Sequence, residues 1–259
     1  MLHRLWTYRD LVVSLIRRQF QLRYRQSLVG ISWAIFPPLA SLLVATVVFH
    51  EVIGVQSPKA GVSYPLFTLA ALTPWTFFAN SLTSGVPSIV GSMQMVTRLP
   101  FPRAVIPLSM IGTSLLDLGI ASVGFVVFAI VTGSGIPLTA LWFPALLALE
   151  VILVIGVVLL GSAINVFARD VRLAIPLLTQ LWLFLTPVMY SLESVPDSLR
   201  PLYLINPMTG LVELFRQVLA YGQAPSLDLV VPALAGAVAL LLVGFWYFTA
   251  IEDRFADVI

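Results

Sequence analysis

Few side chains in this 259-residue chain could do chemistry, and the missing types are as informative as those present. Cysteine is absent, which excludes a disulfide framework, a thiolate nucleophile and a cysteine metal site. His3 and His50 are the only histidines and no HExxH occurs, which argues against a His-rich metal site and against a serine triad. A nucleotide cradle needs G-x-x-x-x-G-K-[ST], with the lysine reaching the phosphates. The sole lysine, Lys59, follows Pro58, so ATP is not bound that way. Asp117 and Glu150 remain, carboxylates inside long apolar stretches, with Glu51 at the end of another. Charge in such a setting is expensive and usually faces a bundle interior or a cavity. The functional reading is a hydrated pathway or proton relay. The plainer one is an interhelical hydrogen bond made by a carboxyl that desolvation keeps protonated. His50 and Glu51 are adjacent, so they point about 100° apart on a helix and no dyad is expected.

The elements that must position these residues are membrane helices. Six apolar stretches, 31–53, 64–90, 105–132, 142–168, 175–190 and 229–250, occupy most of the chain. A helix of about 20 apolar residues crosses a hydrocarbon core of about 30 Å, and runs this long exclude barrel strands. Hydrophobic residues make up 59% of the chain and charged ones 10%, against roughly 25% charge in a soluble domain. The fold class expected is all-α integral membrane: six transmembrane helices in one transmembrane domain, 1–259, with an interface helix at 8–26. Re-entrant outer helices are expected within 195–221. The two halves show no repeat, so an inverted-repeat transporter lacks support.

Charge orients the spans. With the amino terminus inside, eleven basic residues fall on the inner side and three (Lys59, Arg200, Arg216) on the outer, together the 14 of the chain. This positive-inside bias predicts cytoplasmic termini at both ends. The arginines are spread over short segments at helix ends, which makes nucleic acid a poor explanation for them. No cleavable signal segment is evident in the Arg-rich start. Thr7 and Asp10 have capping-box spacing. Tyr8, Leu11, Val12, Leu15, Ile16 and Phe20 then recur at helical spacing, with Arg18, Gln21 and Arg25 opposite. An amphipathic helix in the cytoplasmic interface is expected, Arg17, Arg18 and Arg25 facing lipid phosphates or a partner. Pro37-Pro38 should kink the first span or start its helix afresh. Asn206-Pro207 reads as an N-cap and N1 pair and Gly222 as a C-terminal stop, enclosing a helix of about 15 residues, too short to span at 1.5 Å per residue. Glu213, Arg216 and Gln217 give that helix a polar stripe. Tyr64, Trp75, Tyr190, Tyr203 and Tyr221 fall near outer ends as an interfacial belt. Trp75, Phe77 and Phe78 lie deeper and could face a pathway, since an aromatic face complements a sugar ring.

Four segments together carry a resemblance: RRQFQLRYRQSLVGISWAIFPP (17–38), LPFPRAVIPLS (99–109), FARDVRLAIPLLTQLWLFLTPVMY (167–190) and INPMTGLVELFR (205–216). In this order and spacing the chain, from about residue 10 to its end, resembles the permease subunit of type-2 ABC polysaccharide exporters, the O-antigen, capsule and teichoic acid export family. The resemblance implies a homodimer working with two copies of a separate ATPase subunit that binds ATP and Mg, no cofactor on this chain, and a lipid-linked polysaccharide substrate. O-antigen is the favoured cargo, carried across the bacterial inner membrane between two protomers. It further implies that Arg98, Arg103, Arg169 and Asp170 form an ATPase coupling surface. Trp75, Phe77, Phe78 and Tyr190 would line the substrate channel, and Asn206, Pro207, Glu213 and Arg216 would build an outer gate. Catalytic and metal-binding residues are not implied. The competing classes are a drug or lipid permease of the same type, an ion-coupled carrier using Asp117 and Glu150, and a membrane enzyme acting on lipid-linked sugar.

Overall fold

The computed structural model describes residues 6–25, 30–55, 57, 59–98 and 101–255. Among these residues every regular element is helical. The chain opens with α1 (Arg9–Tyr24). A 3₁₀ turn at Gly30–Ala34 leads into α2 (Phe36–Ala45), which continues as a π-helical stretch, Thr46–Val52. Then come α3 (Tyr64–Gly85), the short α4 (Ser88–Gly91) and α5 (Met93–Arg98), and the long α6 (Val105–Val131). The remaining helices are α7 (Phe143–Phe167), α8 (Val171–Leu185), α9 (Arg200–Ile205), α10 (Pro207–Leu219) and α11 (Leu227–Ile251).

Among the described residues, four helical stretches are long and apolar enough to cross a membrane: Ser32–Val52, Val105–Val131, Leu138–Phe167 and Leu227–Arg254. The other two of the six expected spans do not meet that test. α8 has only 15 residues, because Thr186 is extended and Pro187 follows it. α3 has 22 residues but interrupts its apolar sequence with threonine, serine and asparagine. Pro37 and Pro38 occupy the first turn of α2, where their missing N–H groups have no intrahelical acceptor to lose. The first span therefore starts afresh there.

α3 is the hub. It packs against α2, α6, α7, α8 and α10, and its Leu69, Leu72, Phe78 and Leu82 belong to one core with Leu118, Leu153, Val154, Leu211 and Phe215. The most extensive helix pair is α7 with α11. It depends on Gly156 facing Gly244: a Cβ on either would enter the backbone of the other helix. Where lipid is as apolar as leucine, such close backbone approach supplies dispersion energy that burial cannot.

α1 lies along α6. Leu15 is buried and Leu11, Val12, Ile16 and Phe20 are half-buried, while Arg17, Arg18, Gln21 and Arg25 are exposed, as the helical spacing predicts. The residue at the N-cap of α1 is Tyr8, one position after the expected Thr7, and the Tyr8 side chain makes no capping bond. Ile16 rests on Gly112, where a β-carbon would displace it.

Candidate functional site

Polar side chains gather at three levels of the bundle. At the arginine-rich end, Arg103 pairs with Asp253 at 3.9 Å, tying the start of α6 to the residues after α11. Phe255 packs edge-on against Phe167, ring centroids 6.3 Å apart. These two contacts bring the start of α6 beside the α7–α8 turn, where Arg169 and Asp170 are exposed. Arg103, Arg169 and Asp170 thus share one end of the molecule. The Arg98 side chain lies outside the described residues. A groove of about 490 Å³ runs nearby between α1 and the α4–α5 segment, with Arg18, Gln19, Ser92 and Gln94 on its walls.

At the opposite end, α10 is held by a fully buried arginine. Arg216 Nη2 donates to the Val188 carbonyl at 2.6 Å and Nη1 to Glu213 at 3.1 Å. Its guanidinium lies 3.7 Å from the centroid of the Phe67 ring. Burial lowers the Arg216 pKa and the Glu213 carboxylate raises it again. The polar stripe expected at Glu213 and Arg216 is therefore an interior pair. The helix turns Arg216 toward α3, where Nε donates to the Phe67 carbonyl at 3.4 Å, so each guanidinium nitrogen has an acceptor. Asn206 caps α10 as expected: its side chain accepts from Met208 N at 3.1 Å, and its amide donates to Thr186 at 2.9 Å. Pro207 is at N1 and buried. Gly222, with φ of +63°, follows the end of α10. Tyr190 donates to the Phe184 carbonyl at 2.8 Å and lies 3.2 Å from the Tyr203 hydroxyl. At this end too, the π-helical turn brings His50 Nε2 to 4.0 Å from Glu51, although adjacent residues on an α-helix point apart.

The third site lies between these ends, at Asp117, the middle of α6. Arg23 of α1 forms an ion pair with one Asp117 oxygen, and the Tyr24 hydroxyl donates to the other at 2.7 Å. Burial, with the carboxylate beside it, pushes the Tyr24 phenol up to about 12, so it stays a donor. The carboxylate is almost fully enclosed, whereas Arg23 keeps about a third of its side chain open. Beside this cluster is a cleft of about 370 Å³. Its second wall is α3, which presents Thr76, Asn80, Thr83 and Ser84 at i, i+4, i+7 and i+8, one helical face. Ser114 of α6 and Trp33 complete it.

The aromatic residues expected in a pathway are placed differently. Trp75 and Phe78 are 4% and 0% exposed, and Phe78 meets Trp182 edge-on at 5.0 Å. They fill the core of the bundle because α3 turns that face toward α8. Phe77 is also buried but borders the cleft. Glu150 is fully buried, and neither of its oxygens has a hydrogen-bond partner among the described residues, so of the two readings the interhelical bond is not seen there. Sequence reasoning missed Arg23 and Tyr24. The signal was present: a carboxylate inside a span calls for a named cationic partner, and Arg23 is one turn beyond the apolar Phe20.

The family described as ABC-2 type transporter matches residues 10–220. The chain is 28% identical over 255 residues to an O-antigen export system permease protein RfbA of Myxococcus xanthus, covering 98% of this chain and 96% of that one. It is likewise 28% identical over 251 residues to an RfbA of Klebsiella pneumoniae, with 96% and 95% covered. To the polysialic acid transport protein KpsM of Escherichia coli it is 26% identical over 221 residues, with 82% and 81% covered. Helical in every regular element among its described residues, with several helices of membrane-crossing length, and matched over most of its length, the chain belongs to the ABC-2 type transporter membrane family.

Proposed function

We propose that this chain is the permease subunit of an ATP-driven exporter that moves a lipid-linked polysaccharide, O-antigen in the first instance, out across the inner membrane. One observation carries the reading: alignment with O-antigen export permeases over nearly the full length of both proteins. In this reading the bundle has six spans, α3 and α8 included, both termini are cytoplasmic, and α9–α10 form re-entrant helices at the outer face. Two protomers enclose the conduit, and two copies of a separate ATPase subunit supply the energy. Absence of a nucleotide cradle in this chain fits that division of labour.

Coupling falls to the arginine-rich end, which holds Arg103, Arg169, Asp170 and the groove walled by Arg18, with Arg17 and Arg25 exposed on the same helix; Arg98 would join them. The outer gate is α10, and Asn206, Pro207, Glu213 and Arg216 keep it fastened to its neighbours. Tyr190, Phe77 and the polar face of α3 border the route of the sugar. A second cargo, an anionic polysaccharide, has the KpsM match in its favour, over a smaller share of the chain.

Deleting the chain in its host tests the reading. Surface glycan should vanish while lipid-linked glycan accumulates inside, and an ATPase subunit should copurify with the chain from native membranes. Undiminished surface glycan would overturn the assignment.

A further inference from the structure

The cleft beside Asp117 has the makings of a ligand site. Its volume, about 370 Å³, falls within the range of about 300–1,000 Å³ typical of small-molecule pockets. Its chemistry is mixed in a particular way. The exposed Trp33 offers an apolar ring at the lip. Asn80 and Thr83 are exposed on α3, and Ser114 Oγ is buried and has no hydrogen-bond partner among the described residues.

Charge decides what class of ligand fits. Among the described residues, Arg23 and Asp117 are the only charged ones on the wall, and they neutralise each other. A phosphate or carboxylate entering the cleft would have to strip Arg23 from Asp117, leaving a carboxylate unpaired and almost fully buried, which is costly. A neutral polyhydroxylated ring meets no such obstacle. Its hydroxyls can donate to Asp117, accept from the remaining donors of Arg23, and pair with Ser114 and Asn80, while its apolar face lies on Trp33.

We propose that this cleft is a subsite for one neutral sugar ring of the transported glycan, with Trp33 as its stacking surface and Arg23, Tyr24 and Asp117 as its polar back wall. The proposal rests on the permease reading and adds the place and the chemistry of one contact. It also gives α1 a role. A sugar hydroxyl donating to Asp117 shares that carboxylate with Arg23 and Tyr24 without displacing them, so an occupied cleft adds a bond at the end of the helix whose other face borders the α4–α5 groove.

The chain contains no cysteine, so single-cysteine variants need no altered background. Ser84→Cys changes one atom, and Asn80→Cys and Thr83→Cys lie at exposed positions. Each is assembled with its ATPase subunit in inside-out vesicles, from a host making the glycan and from one blocked in its synthesis. The probe is a sulfonated maleimide, and copurification of the ATPase reports intact assembly. The cysteines should react in glycan-free vesicles and be protected several-fold when lipid-linked glycan is present. Trp33→Ala should then weaken that protection about fivefold, as loss of one stacking contact implies. Equal labelling with and without glycan, or no labelling in glycan-free vesicles, overturns the subsite. If deletion of the chain abolishes surface glycan while labelling is unprotected, the subsite alone falls. If deletion leaves surface glycan intact, the permease reading falls first.

Discussion

At the residue scale, two arginines do opposite work. Arg216 is fully enclosed and shares its guanidinium among a carboxylate, two backbone carbonyls and an aromatic face. Removing one partner of such a pair costs about 3–5 kcal/mol, because the other charge is left without compensation. Glu213→Ala should therefore lower the thermal unfolding temperature of the purified complex more than Glu213→Ala combined with Arg216→Met, which removes both charges. Arg23 is partly open, and its pairing with Asp117 is an adjustable contact between α1 and α6. Single replacements Arg23→Asp and Asp117→Arg should each depress export, and the double exchange should recover part of it; a fully additive loss would deny the coupling. Glu150 has no hydrogen-bond partner among the described residues, so a neutral isostere should be tolerated. Glu150→Gln is expected to export at close to the normal rate. A collapse of transport with assembly preserved would revive the carrier reading, in which that carboxyl moves a proton.

At the element scale, small residues set how closely helices approach. α7 and α11 meet backbone to backbone at Gly156 and Gly244. Gly244→Leu has nowhere to place its side chain, and overpacking of this kind costs about 1–3 kcal/mol or more. Lower yield and a lower unfolding temperature are the expected signs. α1 is held differently, by Ile16 seated on Gly112 and by Arg23 and Tyr24 on Asp117. Gly112→Leu should lift α1 while leaving the bundle assembled, so ATPase copurification should fall although the chain still reaches the membrane. Hydropathy is a local property, so four of the six expected apolar stretches coincide with helices long and apolar enough to span, while the stretches at α3 and α8 overlap helices that do not meet that test. α3 is the instructive case. The hydroxyls on its cleft-facing side bond back to its own carbonyls, Thr76 to Thr73 at 2.9 Å and Ser84 to Asn80 at 2.6 Å, so the helix tolerates a polar face.

At the scale of the whole molecule, polar contacts mark both ends and the middle of one bundle. The permease reading assigns coupling to the arginine-rich end, sugar contact to the middle and the outer gate to the opposite end. Topology is directly testable in the same cysteine-free background. Cysteines placed at Arg172 and Ser198 should label from opposite sides of intact cells, and labelling from one side would contradict the span count. The sequence alone determined the membrane class, the helical character and the family, since these follow from composition, from periodicity within a helix and from short motifs in order; it also shows that the G-x-x-x-x-G-K-[ST] motif does not occur. It could not pair the helices. Inside lipid, an apolar face turned to a neighbour has the same composition as one turned to acyl chains, so hydropathy does not say which face is buried. Trp75 and Phe78 read as pathway residues and are core; Arg216 read as part of a polar stripe and is interior. Asp117 is met by Arg23, 94 positions earlier in the chain. Only the tertiary structure decided these, because each depends on which helix lies beside which, a choice made by shape, glycine contacts and the need of a buried charge for its partner.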